Sequence, residues 1–462
     1  LRKIDEAPFD FERRRVSVLV EHDGKRGLFV KGAPEDMLRL STQFQDADGV
    51  VKPLLAEVRS VFEATLDGLG AQGFRALGIA SRLAQSTPET ANQDSAKITD
   101  ETDMVFAGFA VFLDPPKASA GATIRDLQKA GVTVKVVTGD NELVSRHVFA
   151  EIGVPVTGVL TGEGLDRISD EALIGQLPRT NLFCRINPQQ KHRILLALKR
   201  RGDVVGFMGD GINDAPALHA ADVGISVDGA ADVARAAADL ILLEPNLSVV
   251  LDAVAAGRAA VQNVTKYVLM GASSNFGNMF SMAGATLILP FLPMLPIQIL
   301  LNNLIYNVSE IAIPFDNVDP ETVVKPLKWD IKLIERFMLV FGPVSSVFDF
   351  MTFYAMLAFF HAGEALFQTG WFVESMVTQT LVVFCIRTRR LFFRSKPGGF
   401  LAVMTTGAIA VAIVLPFFPW GVWFGFVAPP PLFFVFLVVT TFAYLALVEI
   451  SKIVFYRFVS RR

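Results

Sequence analysis

Cysteine is scarce in this chain of 462 residues, which has only Cys184 and Cys385. They lie far apart in segments of different character, so neither a disulfide framework nor a CxxC metal pair is expected. Charged residues are also few, at 19% against 52% hydrophobic, which is too apolar for a soluble enzyme and too charged for a protein made only of membrane spans. No early run of Lys and Arg predicts a nucleic-acid surface, and we expect no such partner.

The opening residues LRKIDEAPFDFERRR contain neither a starting methionine nor the pattern of a signal peptide. They have the character of the middle of a domain, and we expect the chain to be the C-terminal part of a longer protein. The length is sufficient for two or three domains. Charge is dense in the first part and sparse after Lys266, which predicts a soluble part followed by a membrane part.

Six charge-poor segments follow Lys266, and each is a candidate membrane span, because about 20 apolar residues cross a bilayer. They are residues 267–289, 297–313, 337–361, 371–386, 400–420 and 432–448. The second and fourth are short and each contains an acid, which leaves their limits open. We expect an all-α membrane domain with six spans.

Lys and Arg are concentrated in alternate loops between these segments. The loop after the second span carries Lys325, Lys328, Lys332 and Arg336, the loop after the fourth carries Arg387, Arg389, Arg390, Arg394 and Lys396, and the end carries Arg457, Arg461 and Arg462. The loops FLPMLP, AGEALFQTG and GVWFGFVAPPP have neither residue. Under the positive-inside rule, the basic loops, both chain ends and the soluble part are then cytoplasmic.

The stretch VVGFMGDGINDAPAL, residues 204–218, carries the strongest chemical signal. Its apolar start predicts a buried strand, which Gly209, Asp210 and Gly211 must end. Two carboxylates, Asp210 and Asp214, on a glycine-rich loop at a strand end suit a hard cation such as Mg²⁺, although an isolated GDG is usually a solvated turn. The ungapped string GDGINDAPAL resembles the hinge motif of P-type ATPases, cation pumps that phosphorylate themselves on an aspartate.

Helices and strands alternate after residue 104, which predicts a parallel sheet. Thr138, Gly139 and Asp140 follow a predicted strand at 132–137 and open a helix, where backbone N–H groups and a hydroxyl suit a phosphate. VVTGDN resembles the second phosphate-binding motif of the haloacid dehalogenase-like superfamily. Lys191, in NPQQKHRIL, matches the Lys that this superfamily directs at the phosphoryl group. The alternative is a solvated helix Lys, but the spacing between TGD and GDGIND favours the functional interpretation.

Further upstream, KGAPE and GFRALGIA resemble the nucleotide-binding domain of P-type ATPases. The resemblance implies that Phe9 stacks on adenine, that Lys31 and Gly32 line the same pocket, and that Arg75 reaches the phosphates. Taken singly, these are a core Phe, a surface Lys and a surface Arg. Predicted strands at 16–20, 27–30 and 73–80 and a helix at 51–69 favour an α+β fold.

The resemblance implies a multidomain membrane protein. We expect a nucleotide-binding domain over 1–103, a haloacid dehalogenase-like (Rossmannoid) α/β phosphorylation domain over 104–258, and the membrane domain over 259–462. The phosphorylated aspartate of the family lies in D-K-T-G-T, which does not occur here. The actuator domain and the first four spans are also lacking, so we expect the chain alone to be inactive.

The implied reaction transfers the γ-phosphoryl group of ATP to an aspartate and then hydrolyses it, which depends on positioning and charge neutralisation. ATP and Mg²⁺ are the expected cofactors. Asp210 is the expected Mg²⁺ ligand, and Asp214 is a second ligand or, with Asn213, hydrogen-bonding support. Thr138 and Lys191 hold the phosphoryl oxygens.

Strings in the membrane part resemble the bacterial magnesium-transporting P-type ATPases: SSNFGN, NNLIYNVSEIAIPFDNVD, FGPVSSVFDF, GWFVESMVTQT and IRTRR. This implies ATP-driven entry of Mg²⁺ into the cytoplasm, across the bilayer of a bacterial inner membrane. A pump for another cation such as calcium, or a truncated non-catalytic membrane module, remains an alternative. Six spans exclude a soluble phosphatase and argue against heavy-metal pumps, which have two spans after the phosphorylation domain.

Polar side chains within membrane spans are costly and usually functional. The candidates for the transported cation are Asn275, Asn278, Asn303, Asn307, Glu310 and Asp349. The resemblance assigns the two asparagine pairs, with Glu310 on the face of the second pair, to the transport site. We expect the amides to bind a partly hydrated Mg²⁺ through its waters, with charge from the acids. Alternatively, the asparagines only join helix to helix.

Overall fold

The computed structural model describes residues 2–10, 13–22, 25–83, 98–244, 246–327 and 329–459. The chain divides into two compact units, Leu1–Leu251 and Asp252–Arg462. Most of the predicted polar loop after residue 85 lies outside the described residues, as do the basic residues Lys328, Arg461 and Arg462.

A seven-stranded sheet forms the first part of unit 1. Its elements are β1 (Arg2–Asp10), β2 (Arg15–His22), β3 (Lys25–Gly32), α1 (Pro34–Leu40), β4 (Ser41–Gln45), β5 (Val51–Pro53), α2 (Ala56–Ala71), β6 (Phe74–Leu83) and β7 (Met104–Leu113). The strand order is β1-β2-β3-β6-β7-β4-β5, and only the β4–β7 pair is parallel. Strand β3 buries Leu28 and Val30 against Met37 of α1 and exposes Phe29 and Lys31, the alternation expected of a sheet with one open face.

The three strands predicted here are confirmed, and two other expectations are corrected. The predicted helix at 51–69 begins only at Ala56, because residues Val51–Pro53 pair with β4 as a strand. The domain boundary expected at residue 103 is wrong. Strand β7 pairs with both β6 and β4, so the sheet continues to Leu113.

Parallel sheets and helices form the second part of unit 1. The elements are α3 (Ala120–Lys129), β8 (Val136–Val137), α4 (Glu142–Glu151), β9 (Val159–Thr161), α5 (Gly162–Asp166), α6 (Asp170–Gln176), β10 (Leu182–Cys184), α7 (Pro188–Arg200), β11 (Gly206–Met208), α8 (Ala215–Ala220), β12 (Val223–Val227), α9 (Asp232–Ala237) and β13 (Leu240–Leu242). The strands form two sheets, β8-β10-β9 and β11-β12-β13, in place of the single sheet expected.

Helix α7 joins these two sheets. Ile194 packs with Phe183 of β10, Leu195 packs with Val205 before β11, and Leu198 contacts both clusters. The strand predicted at 132–137 is reduced to two residues. The buried strand expected from residue 204 forms only over Gly206–Met208, and Val204 before it is 86% exposed. Strands β8 and β11 each have one unpaired edge among the described strands.

Unit 2 is helical, and its first helix begins in unit 1. The helices are α10 (Ser248–Ile288), α11 (Pro296–Glu310), α12 (Pro320–Val323), α13 (Ile331–Tyr354), α14 (Glu364–Leu381), α15 (Val383–Ile386), α16 (Gly399–Val414) and α17 (Pro431–Val459). Four segments of the described chain are long and apolar enough to cross a membrane: Ile331–Phe359, Glu364–Ile386, Gly399–Phe417 and Pro431–Phe458. They correspond to the last four predicted spans. Helix α11, with 15 residues, is shorter than a full span.

A buried acid joins the segment before β7 to strand β2 and leads to a first prediction. Glu101 is 1% exposed and accepts hydrogen bonds from Arg15 (2.5 Å), Arg13 (2.6 Å) and Ser17. Burial raises the pKa of Glu101, but the bonds from Ser17 and Arg15 outweigh it, so the pKa is lowered overall. The ionised form therefore stabilises the fold above the unfolded pKa of about 4.3, and this contribution is lost as pH falls through the lower folded value.

We expect Glu101→Gln to cost about 3 kcal/mol at neutral pH, because two partly buried arginines lose their charged partner. Amide hydrogen exchange in β2 should accelerate roughly 100-fold, and the difference from the unmodified chain should shrink in acid. Glu63→Gln, on the exposed side of α2, is the matched control. Equal exchange rates in the two variants would contradict this role of Glu101.

Candidate functional site

The TGD loop lies at the end of β8, as the sequence predicts. The Thr138 amide donates to the Phe183 carbonyl (2.9 Å), which holds the loop against β10. The Thr138 hydroxyl donates to Asp140 (3.0 Å) and accepts from the Asp140 amide (3.1 Å). Asn141 then caps α4 by accepting from the Val144 amide (2.9 Å). The loop thus lies at the N-terminus of a ten-residue helix, and a Cβ on Gly139 would meet no atom within 4 Å.

Arg75 reaches this loop from strand β6. Its guanidinium bonds to Asp140 (2.9 Å) and to Asp114 (3.0 Å), and about half of the side chain is exposed. The two sequence motifs GFR and TGD therefore meet in the structure, although 65 residues separate Arg75 from Asp140. The arginine neutralises an acid beside the surface that suits a phosphate.

Lys191 and Asp214 form the second part of the site. Lys191 lies in the first turn of α7, which Asn187 and Gln190 fix with a reciprocal capping box. The Lys191 ammonium donates to Asp214 Oδ1 (2.7 Å), and the Gly211 amide donates to Oδ2 (3.1 Å). A Cβ on Gly209 would lie 2.5 Å from that of Asp214, so this loop requires a glycine.

Asp210 and Asn213 are exposed on the same loop, after the end of β11. The Asp210 carbonyl accepts from the Ala231 amide (3.0 Å), whereas its carboxylate has no hydrogen bond or ion pair with the described residues. An exposed carboxylate at a strand end fits Mg²⁺, which is usually held by one or two carboxylates, waters and phosphate oxygens. Both Asp214 oxygens already have protein donors, which favours hydrogen-bonding support over direct metal ligation. Within the described ranges, no three His, Cys, Asp or Glu form a metal site.

The open face of the seven-stranded sheet holds the predicted nucleotide residues. Lys31 pairs in register with Val16 of β2 and Ile79 of β6. Phe9, 53% exposed, lies at the same end of β1, which is the strand on the other side of β2. A Cβ on Gly32 would lie 2.5 Å from the Arg14 carbonyl, so the close approach of the chain there requires glycine. The exposed hydrophobic residues Phe29, Leu77 and Ile79 complete the face. An apolar surface with one Lys suits an aromatic base with a nearby phosphate.

A polar cavity of about 630 Å³ lies beside the TGD loop and the start of α7, where Asn141, Asn187 and Gln190 line it, and sequence reasoning selected none of its lining residues. Arg185 and Glu35 line it and form an ion pair between the loop before α7 and helix α1. Arg185 has a φ of 53°, a left-handed conformation that non-glycine residues seldom adopt. Nothing in the residue type signals this conformation, so the ion pair could not be predicted from the sequence.

In unit 2, polar side chains of α10, α13 and α14 meet. Asp349 accepts from the Ser281 hydroxyl (2.6 Å) and from the Trp371 indole (2.8 Å). Asn278 accepts a hydrogen bond from Gln379, whereas Asn275 is exposed. Sequence reasoning selected Asn278 and Asp349 but missed these partners.

The predicted face of α11 is corrected. Asn303 and Asn307 are exposed, whereas Asn302, Tyr306 and Glu310 are buried. Each exposed asparagine directly follows a buried residue, and successive helix residues turn by about 100°, so the exposed asparagines lie on a different face of α11 from Asn302 and Tyr306. Glu310 therefore does not share the environment of the asparagine pair within unit 2.

Two families match parts of the chain. The family described as "P-type ATPase, cytoplasmic domain N" matches residues 1–119, and the one described as "Cation transporting ATPase, C-terminus" matches 291–454. The first match also extends past the sequence-predicted boundary at residue 103.

Individual relatives agree with these matches. The chain is 45% identical to the "Magnesium-transporting ATPase, P-type 1" of Salmonella typhimurium and to that of Escherichia coli K12, over 98% of its own length and 50% of theirs. It is 29% identical to "Calcium-transporting ATPase 1" of Lactococcus lactis, over 70% of the chain and 36% of that protein. The chain thus spans about half the length of the magnesium-transporting relatives it matches. It belongs to the P-type ATPase family, whose C-terminal region it represents.

Proposed function

We propose that the chain is the C-terminal part of an ATP-driven pump that imports Mg²⁺ into the cytoplasm of a bacterium through an aspartyl-phosphate. The observation that carries this proposal is the Lys191–Asp214 pair beside the exposed Asp210 carboxylate, on the two elements next to β11. The names of the relatives at 45% identity support magnesium as the cation. The relative named for calcium is only 29% identical, so it supports a calcium pump less strongly than the other relatives support a magnesium pump.

In this proposal the second part of unit 1 is a haloacid dehalogenase-like phosphorylation domain. The unpaired edges of β8 and β11 suit one further strand, and we assign that place to the strand carrying the phosphorylated aspartate. Thr138, Gly139 and Lys191 hold phosphoryl oxygens, and Asn213, Asp214 and Asp140 orient their neighbours. Asp210 holds Mg²⁺, which when bound supplies positive charge to the phosphoryl oxygens.

ATP would bind on the open sheet face through Phe9, Lys31 and Gly32, with Arg75 directed at its phosphates. We expect Lys31→Ala to weaken ATP binding to this chain roughly tenfold, the loss of one charge-assisted contact. Displacement of a fluorescent ATP analogue measures the affinity. Lys25→Ala, an exposed lysine at the other end of β3, is the matched control. Equal affinities of the two variants would place ATP elsewhere.

We further propose six spans, with α10 and α11 completing the four long apolar helices, and a cytoplasmic location for both ends and for unit 1. Lys and Arg are concentrated in alternate loops, which supports this orientation. Single cysteines replacing Glu364 and Lys396 should react with an impermeant thiol reagent from opposite sides of the membrane. Labelling of both from one side would refute the arrangement.

The proposed transport site contains Asn275, Asn278, Asn303, Asn307, Glu310 and Asp349. Amide oxygens and two acids match the preference of Mg²⁺ for oxygen and for retained waters. Exposed amides on a membrane helix are costly, which supports contact of Asn303 and Asn307 with spans from the other half of the complete protein. Normal Mg²⁺ uptake by the complete protein in all three variants, Asn278→Ala, Asn307→Ala and Glu310→Gln, would exclude this site.

A further inference from the structure

Buried oxygens without partners are concentrated in unit 2. Among the described side chains they include Asn302 Oδ1, Glu310 Oε1, Thr352 Oγ1 and Glu374 Oε2. Buried polar atoms in native proteins are nearly always satisfied, and an exception often marks the place of a water or an ion. Glu310 is already assigned to the proposed transport site, whereas Glu374 has no assigned role.

Glu374 lies one turn after Trp371 on α14 and is 1% exposed. Its carboxyl group is in contact with that of Asp349, whose two oxygens already accept from Ser281 and Trp371. Neither acid forms an ion pair with any described Lys, Arg or His. Helices α13 and α14 therefore each direct one acid at the same place, without a described protein cation.

Among the described residues, the surroundings of the two acids supply no basic group. Tyr444 of α17 lies near both acids, Tyr306 and Glu310 of α11 interact with each other, and α16 contains no titratable residue. Ser281 is the contact from α10. Carboxylate oxygens only accept hydrogen bonds, so contact between two carboxyls is favourable only with a proton or a metal cation between them.

We propose that Glu374 and Asp349 together bind a divalent cation with a preference for oxygen ligands, which makes Glu374 a further residue of the transport site. The inference rests on the proposed transport function. Two acids balance the charge of a dication, and affinity in oxygen sites follows the number of ligand charges. The site then includes α14, the most enclosed of the long apolar helices, with 89% of its apolar segment buried.

The alternative is that Glu374 only packs α14 against α13 by donating a proton to Asp349. Glu374→Gln separates the two, because the amide N–H still donates to Asp349 but the second negative charge is lost. Glu364→Gln is the matched control, since Glu364 is an exposed acid at the start of the same helix.

The experiment uses the complete protein in detergent with Asp210→Ala in the background, so that the cytoplasmic ligand contributes nothing. The probe is Mn²⁺, a paramagnetic substitute for Mg²⁺. Electron spin resonance measures the amount of bound Mn²⁺, and titration with Mg²⁺ shows whether Mg²⁺ displaces it. We expect Glu374→Gln to weaken Mn²⁺ binding at least about tenfold, Glu374→Asp to recover part of the affinity, and Glu364→Gln to bind normally.

Equal Mn²⁺ affinity of Glu374→Gln and Glu364→Gln would overturn the inference, as would a Glu374→Asp protein that binds no better than Glu374→Gln. ATP-driven Mg²⁺ uptake by the wild-type protein distinguishes this failure from failure of the proposed function. If the wild-type protein takes up Mg²⁺ but Glu374→Gln binds Mn²⁺ normally, only the assignment of Glu374 to the site is wrong. If the wild-type protein takes up no Mg²⁺, the proposed pump function is wrong.

Discussion

Asp210→Ala in the complete protein is expected to reduce phosphoenzyme formation from ATP by at least about a thousandfold. The Asp210 carboxylate is exposed at the end of β11, and in the proposed function it holds Mg²⁺ beside the phosphoryl group. Phosphoryl transfer depends mainly on charge neutralisation, so loss of the metal ligand removes several kcal/mol of transition-state stabilisation. Labelling with radioactive ATP, followed by an acid quench, measures the phosphoenzyme.

Asp232→Ala is the matched control, because the Asp232 side chain is 99% exposed on α9 and pairs only loosely with Arg235 at 3.7 Å. It should be phosphorylated normally. A phosphoenzyme level in Asp210→Ala close to that of the control would remove Asp210 from the metal site.

A large stability effect is expected at Arg387, in the loop after α15. Its guanidinium, 1% exposed, donates to Asp316 (2.8 Å), to the Ser395 carbonyl (3.0 Å) and to the Lys396 carbonyl (2.9 Å). Asp316 is fully buried and also accepts from Lys266 of α10 (2.7 Å). The arginine thus ties the loop after α11 to the loop before α16.

We expect Arg387→Met to cost about 3–5 kcal/mol, because a fully buried carboxylate loses one of its two cations and several carbonyls lose their donor. The melting temperature in detergent should fall by roughly 10 °C. All four tryptophans lie in unit 2, so their fluorescence reports on this unit. Arg394→Met, at an exposed arginine of the same loop, is the control, and equal melting of the two variants would contradict the role of Arg387.

Elements with a clear period or a glycine stop were predictable from the sequence. Strand β3 alternates buried and exposed residues, and GDG ends β11 where expected. The predictions that were wrong concern strands whose pairing partners are distant in the chain. Nothing local to residues 104–113 shows that β7 pairs with both β6 and β4, so the boundary was set too early. The same holds for the three residues of β5 before α2.

The site divides in the same way. The strings TGD, GFR and GDGIND each indicated their chemistry locally, and the structure brings Arg75 to Asp140 and Lys191 to Asp214. On α11 the spacing of Asn303 and Asn307 correctly predicts that they lie on one face of the helix. Spacing alone does not show whether that face is buried. The sequence shows Glu374 as an acid in an apolar segment. Only the structure, through the contact of Glu374 with Asp349, indicates a role for this acid.

The most direct test of the central claim is ATP-driven uptake of Mg²⁺ by the complete protein in sealed vesicles, measured with a magnesium-sensitive dye. The protein is oriented so that ATP reaches unit 1 and Mg²⁺ starts on the opposite side. We predict that ATP moves Mg²⁺ toward the side of unit 1, that Asp210→Ala abolishes this movement, and that Asp232→Ala does not. Hydrolysis of ATP with no Mg²⁺ movement, or movement of Ca²⁺ alone, would contradict the account.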